Sequence, residues 1–152
     1  MEKVRVYERQ AAMSIADLKA RTQHIFDLFN TRDPAAAAEL FTYDAELHDV
    51  AVPQPAIGPE AIAAVYARHF AAIPDSHVRV DRMIGEGNTV VVEWTLSGTH
   101  RGHMMGIPAT GKPISLSGVS LLRFRGGQVA ADTRIWDVAS MLRQIGLLPS
   151  QG

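Results

Sequence analysis

The sequence predicts an α+β fold in which helices cover one face of a curved antiparallel sheet. Three observations carry this. Apolar residues recur at helical spacing as far as Pro74, and beyond it the period shortens to two. Glu86-Gly87-Asn88 and Gly126-Gly127 then punctuate the second half as strand turns. No repeat, linker or low-complexity tract divides the 152 residues, so one layered domain is expected over 14–152, preceded by an N-terminal arm over 1–13.

The elements follow in order. Ser14 is an N-cap with Asp17 in the capping-box position, and Ile15, Leu18, Thr22, Ile25, Phe26 and Phe29 mark a helix over 15–30. Asp33-Pro34 opens a second helix, which the alanines carry to about Phe41. Ala45 to Val50 reads as a brief strand and Pro53-Gln54-Pro55 as a loop. Gly58-Pro59-Glu60 starts a third helix with Ile62, Val65, Tyr66 and Phe70 on one face, stopped near Pro74. Val78, Val80, Arg82 and Ile84 alternate in a strand, with Met83 breaking the pattern. Thr89 to His100, Ile114 to Arg125 and Gln128 to Trp136 complete a meander, and Asp137 caps a last helix that Gly146 ends.

Composition narrows the functional classes. Fifteen Lys and Arg against sixteen Asp and Glu argue against a strongly basic nucleic-acid binder. With no cysteine, thiolate metal sites, iron–sulfur clusters and a cysteine nucleophile are excluded. No apolar run approaches ~18 residues, and Met1-Glu2-Lys3-Val4-Arg5 is not followed by an apolar core. No membrane partner and a cytoplasmic location are therefore expected. The glycines Gly102, Gly106 and Gly111 lead into a strand rather than a helix, unlike a phosphate loop or dinucleotide fingerprint. His100-Arg101-Gly102-His103 and His48-Asp49 have short ligand spacings but no third ligand in register, and no metal, flavin or nicotinamide cofactor is expected.

A sheet closed by helices on one side forms a cavity suited to a small-molecule substrate. Trp94-Thr95-Leu96-Ser97-Gly98-Thr99-His100-Arg101-Gly102 and Met105-Gly106-Ile107-Pro108-Ala109-Thr110-Gly111-Lys112 resemble the signature of the SnoaL-like polyketide cyclases, in the nuclear-transport-factor-2-like superfamily. The resemblance continues at His48-Asp49, at Arg123 with the glycine turn, and at Asp137 with Met141-Leu142-Arg143-Gln144-Ile145-Gly146, and covers Ser14 to Gly146. It implies a cone-shaped fold around an apolar cavity, a polyketide-like, carbonyl-rich substrate, and sheet-to-sheet dimers. The superfamily also hosts isomerases, hydrolases and non-catalytic binders, so fold alone does not choose the activity. Epoxide opening and an inert binding pocket stand as alternatives; Arg79-Val80-Asp81 has the spacing of an epoxide-hydrolase constellation but lies on an earlier strand.

Asp132, five residues after Gly127, matches the family's catalytic Asp. A carboxyl in an apolar cavity has its pKa raised by desolvation, so it can take a proton from carbon and return one to an alkoxide. Alternation puts Gln128, Ala130, Asp132, Arg134 and Trp136 on one face; either that face lines the pocket, or it is solvated and Asp132 merely pairs with Arg134. The family carries a His fourteen residues before this Asp, where this chain has Gly118. His48 matches a polar pocket position and is either a carbonyl donor or a structural residue. His100 either reaches the cavity rim or serves the turn. Phe41, Tyr66, Phe70, Trp94, Arg134 and Trp136 are the substrate-binding candidates, each aromatic being a core residue if it does not line the cone. His24, His69 and His77 are read as surface or helix-face residues. Val78, Val80, Val90, Val92, Leu121 and Val129 exceed what one cavity requires, and a homodimer is expected.

Overall fold

The computed structural model describes residues 13–150; apart from Met13, the expected arm lies outside the described residues. The elements are α1 (Ile15–Asn30), α2 (Pro34–Ala38), β1 (Phe41–Asp49), β2 (Ala56–Ile57), α3 (Pro59–Ala72), β3 (His77–Glu86), β4 (Thr89–Thr99), β5 (Pro113–Arg125), β6 (Gln128–Trp136) and α4 (Val138–Gln144). Local chemistry sets the helix starts. Ser14 and Asp17 form the reciprocal capping box of α1, Asp33 caps α2 with Pro34 in its first turn, and Asp137 caps α4.

One curved six-stranded sheet runs in the order β2-β1-β6-β5-β4-β3. The expected antiparallel meander is present from β3 to β6, but the sheet is mixed, because β1 pairs with β6 in parallel. This pairing joins segments some eighty residues apart, so no local turn signal announces it. It also lengthens the brief strand expected at Ala45–Val50 back to Phe41, ending α2 at Ala38. The loop after Pro55 contributes the two-residue β2.

Two bulges reset side-chain alternation. The register shift between Val80 and Arg82 makes Asp81 the extra residue of β3, so Met83 turns inward against the core while Ile84 is exposed. On β6, Ala130 is extra opposite Arg123 and Phe124, so Val129 packs in the core and Asp132, Arg134 and Trp136 still face inward. The uninterrupted alternation read from Gln128 to Trp136 is corrected accordingly.

Helix α1 lies against β3 and β4, α3 against β1, and α4 against β5. Asn30 ties the end of α1 to β3 by exchanging two hydrogen bonds with the Val78 backbone, at 2.8 and 2.9 Å. Of the residues expected on a spare sheet face, Val78, Val90, Val92 and Val129 are buried in the core and Val80 packs against it; only Leu121 points outward. The outer face carries a different apolar row, in which Ile84, Val91, Leu121 and Thr133 are successive cross-strand neighbours, with Val119 and Ile135 beside them.

Candidate functional site

Between sheet and helices lies a cavity of about 510 Å³. Phe26 and Phe29 of α1 and Tyr66 and His69 of α3 form its helical wall; Trp94, Ser120, Asp132, Arg134 and Trp136 come from the strands. Arg68, Val52, His103 and Met105 reach its exposed margin, and Met104 joins Met105 as an adaptable apolar lining.

The polar groups converge on β6. Asp132 is only 3% exposed. Its Oδ2 accepts from Arg134 Nε at 3.2 Å and lies 3.1 Å from Nη2, while its buried Oδ1 has no partner among the described residues. Arg134 Nη2 also donates to the Tyr66 hydroxyl at 2.8 Å, and the guanidinium lies 5.1 Å from the centroid of that ring. Trp136 Nε1 donates to both Asp49 oxygens at 2.9 and 3.0 Å. Trp94 Nε1 donates to Ser120 Oγ at 2.9 Å, and its indole occupies the space a side chain at Gly118 would need.

Burial sets the electrostatics. It pushes the Asp132 carboxyl above the usual range; the charge and hydrogen bond of Arg134 oppose this without cancelling it, and the Asp49 charge adds to it. Burial likewise pushes the Tyr66 phenol up to about 12, against the pull of Arg134, so it stays protonated. The same burial, helped by the Arg134 charge, lowers His69 to about 4 and leaves a neutral imidazole at ordinary pH. For Arg134 burial works against the charge, but Asp132 and Tyr66 outweigh it and hold the guanidinium ionised. A single carboxyl of raised pKa, an open oxygen and an apolar chamber suffice to accept and return a proton.

Asp132, Tyr66, Trp94, Arg134 and Trp136 are brought together as sequence reasoning placed them. The pairing of Asp132 with Arg134 is present too, but inside the cavity and not on a solvated face. Four candidates fall elsewhere. His48 is exposed on the outer face beside Thr133, because its neighbour Leu47 takes the inward position opposite Asp132. His100 is fully buried away from the cavity lining; its Nδ1 meets Thr110 Oγ1 at 2.9 Å, and its backbone bonds to Gly111 and Lys112 close the β4–β5 loop. Phe41 is core behind Tyr66, 6.4 Å between centroids, and Phe70 packs on Phe29 outside the cavity lining. Arg79 and Asp81 pair at 2.7 Å on exposed surface, so the spacing that suggested an epoxide constellation does not reach the cavity.

Among the lining residues that sequence reasoning did not place in the site are His69 and Asp49. The signal for His69 was present: it lies three residues after Tyr66 and seven after Ile62, on the buried stripe of α3. Asp49 follows Leu47 by two and so shares its inward face. No group of three or more His, Asp or Glu is placed to hold a metal among the described residues. No described helix is long and apolar enough to cross a membrane.

Comparison with known proteins agrees with this geometry. The family model for SnoaL-like polyketide cyclase matches residues 19–145. Aklanonic acid methyl ester cyclase DnrD of Streptomyces peucetius is 33% identical over 91 residues, 59% of this chain and 62% of that relative's length. A candidate SnoaL-like polyketide cyclase from Jannaschia sp. CCS1 superposes with a TM-score of 0.81 at 24% identity, over 92% of this chain and 99% of that one. IdmH from Streptomyces antibioticus, a candidate polyketide cyclase, superposes at 0.73 with 26% identity, over 85% and 98%.

Proposed function

From membership in the SnoaL-like polyketide cyclase family, to which the chain belongs, we propose that it cyclises or isomerises a polyketide-like, carbonyl-rich small molecule by cofactor-independent acid/base chemistry. The observation that carries this reading is the buried Asp132, its Oδ1 unpartnered on the wall of an apolar cavity. In an aldol cyclisation the Asp132 carboxylate takes a proton from carbon beside a carbonyl. The resulting enolate forms the new carbon–carbon bond at a second carbonyl of the same molecule. That carbonyl becomes an alkoxide and takes the proton back from Asp132, so atoms and charge balance with no oxidant or reductant. Arg134 holds the carboxyl in place and Tyr66 orients Arg134. Trp94 and Trp136 supply flat apolar walls for a planar substrate.

The assembly proposed with this reading is a two-fold homodimer through the outer sheet face, where Ile84, Leu121 and Ile135 are exposed and the cavities open away from the contact. Sedimentation at micromolar concentration reads it directly; a mass near 16.5 kDa at every dilution refutes it.

The test of the chemistry is Asp132→Asn, assayed on aromatic polyketide ketones beginning with aklanonic acid methyl ester, the compound for which the relative is named. The amide keeps an acceptor for Arg134, so the fold is retained while kcat falls by at least ~10²-fold. Undiminished turnover assigns the acid/base role to another group.

A further inference from the structure

An enolate formed in the cavity gathers charge on its carbonyl oxygen, and a hydrogen-bond donor aimed at that oxygen stabilises it. The indole donors in the cavity are already committed, while the Tyr66 hydroxyl, which accepts from Arg134, keeps its own O–H beside Asp132 and Arg134. Arg134 serves Asp132 and Tyr66, Trp94 serves Ser120, and Trp136 serves Asp49. The strand position beside Trp94 offers nothing, because the indole fills the space over Gly118. His69 is different. It lines the cavity from α3, and its buried Nε2 has no partner among the described residues. Its ring packs in a three-ring cluster with Phe29, 5.2 Å away and tilted 52°, and Phe70, 5.5 Å away at 81°.

We propose that His69 is a second catalytic residue, donating its ring N–H to the carbonyl oxygen of a ketone whose α-proton passes to Asp132. This rests on the acid/base reading above and extends it to the helical wall of the site. His69 keeps its proton throughout: the C–H proton goes to Asp132, the electron pair spreads onto oxygen, and the imidazole only bonds the oxygen as charge develops. A neutral ring suffices for this role, and burial together with the Arg134 charge keeps it neutral, with a pKa of about 4. The substrate class follows: a ketone flanked by apolar rings, its oxygen toward α3 and its acidic carbon toward β6.

The experiment uses fluorenone, a rigid tricyclic ketone with no acidic α-carbon, labelled at the carbonyl and followed by its infrared stretching band. In the wild-type protein the band is expected below its position in alkane solvent. In His69→Phe it returns to the alkane position and affinity falls about tenfold, a change of ~1.4 kcal/mol. In His69→Gln, whose side-chain amide N–H replaces the imidazole's, the low band is kept. A low band in His69→Phe, an alkane-like band in the wild type, or no binding of fluorenone overturns the assignment. Because fluorenone cannot undergo the reaction, the readout is separate from the turnover of Asp132→Asn: an active Asp132→Asn defeats the acid/base reading, whereas the infrared result alone defeats the donor.

Discussion

The inward face of the sheet has two ends that share strands and differ in kind. Near the β5–β6 hairpin it presents Val90, Val92, Leu122, Phe124 and Val129, all buried against Leu18, Ile25 and Phe41. Farther along the same three strands the inward positions become Trp94, Ser120, Gly118, Asp132 and Arg134, and the packing opens into the cavity. Backbone pattern does not distinguish the ends; side-chain size and polarity do. Close packing at the hairpin end stabilises the fold. That leaves the other end free to hold a void and a carboxyl of raised pKa, both of which cost stability.

Substitutions at the two ends of the sheet are expected to act differently. Phe124→Ala is expected to have the largest effect on stability, about 3–5 kcal/mol, because it empties space in the closed core. Denaturant unfolding measures it, and ketone affinity of the folded fraction should be unchanged. A smaller loss comes from Gly118→Ala, whose methyl group meets the Trp94 indole. Overpacking of this kind costs about 1–3 kcal/mol. Here it also presses the indole into the cavity, so ligand affinity and stability should fall together; a fall in stability alone would place Trp94 outside the binding wall.

The third effect is a pH dependence. His69 has a folded pKa of about 4, below the ~6.5 of an unfolded imidazole, so between these values the unfolded chain binds the extra proton. Stability therefore rises with pH across that window, by at most ~1.4 kcal/mol per pH unit, and is lost as pH falls toward 4. Asp132 acts in the opposite sense: its raised pKa stabilises the fold below ~3.9 and loses that contribution as pH climbs through the folded value. In His69→Gln the rise over pH 4 to 6.5 should flatten when unfolding free energy is measured point by point.

Much of this architecture was legible in the sequence because it is written locally. Capping residues at Ser14, Asp33 and Asp137, and turn glycines at Gly87 and Gly126-Gly127, place most element boundaries to within a residue or two. What escaped was non-local. The parallel pairing of β1 with β6 has no turn to announce it, and the extra residues Asp81 and Ala130 shift alternation without any Gly or Pro at the bulge. The site divides in the same way. Asp132 and Arg134 share a strand, so spacing relates them, whereas His69 joins them only through the packing of α3 on the sheet. His48 was misplaced because its face depends on β1 having Leu47 inward, a pairing the sequence does not display.

Everything proposed for the cavity depends on Asp132 being a buried, proton-exchanging carboxyl and not half of a solvated ion pair. The most direct measurement is a carbon-13 NMR titration of its side-chain carboxyl, assigned by comparison with Asp132→Asn. Because burial outweighs Arg134 at this site, the midpoint is expected above the ~3.9 of a solvated aspartate. A midpoint at or below that value would mean that Arg134 dominates and the carboxyl is a structural counter-ion, contradicting the acid/base assignment.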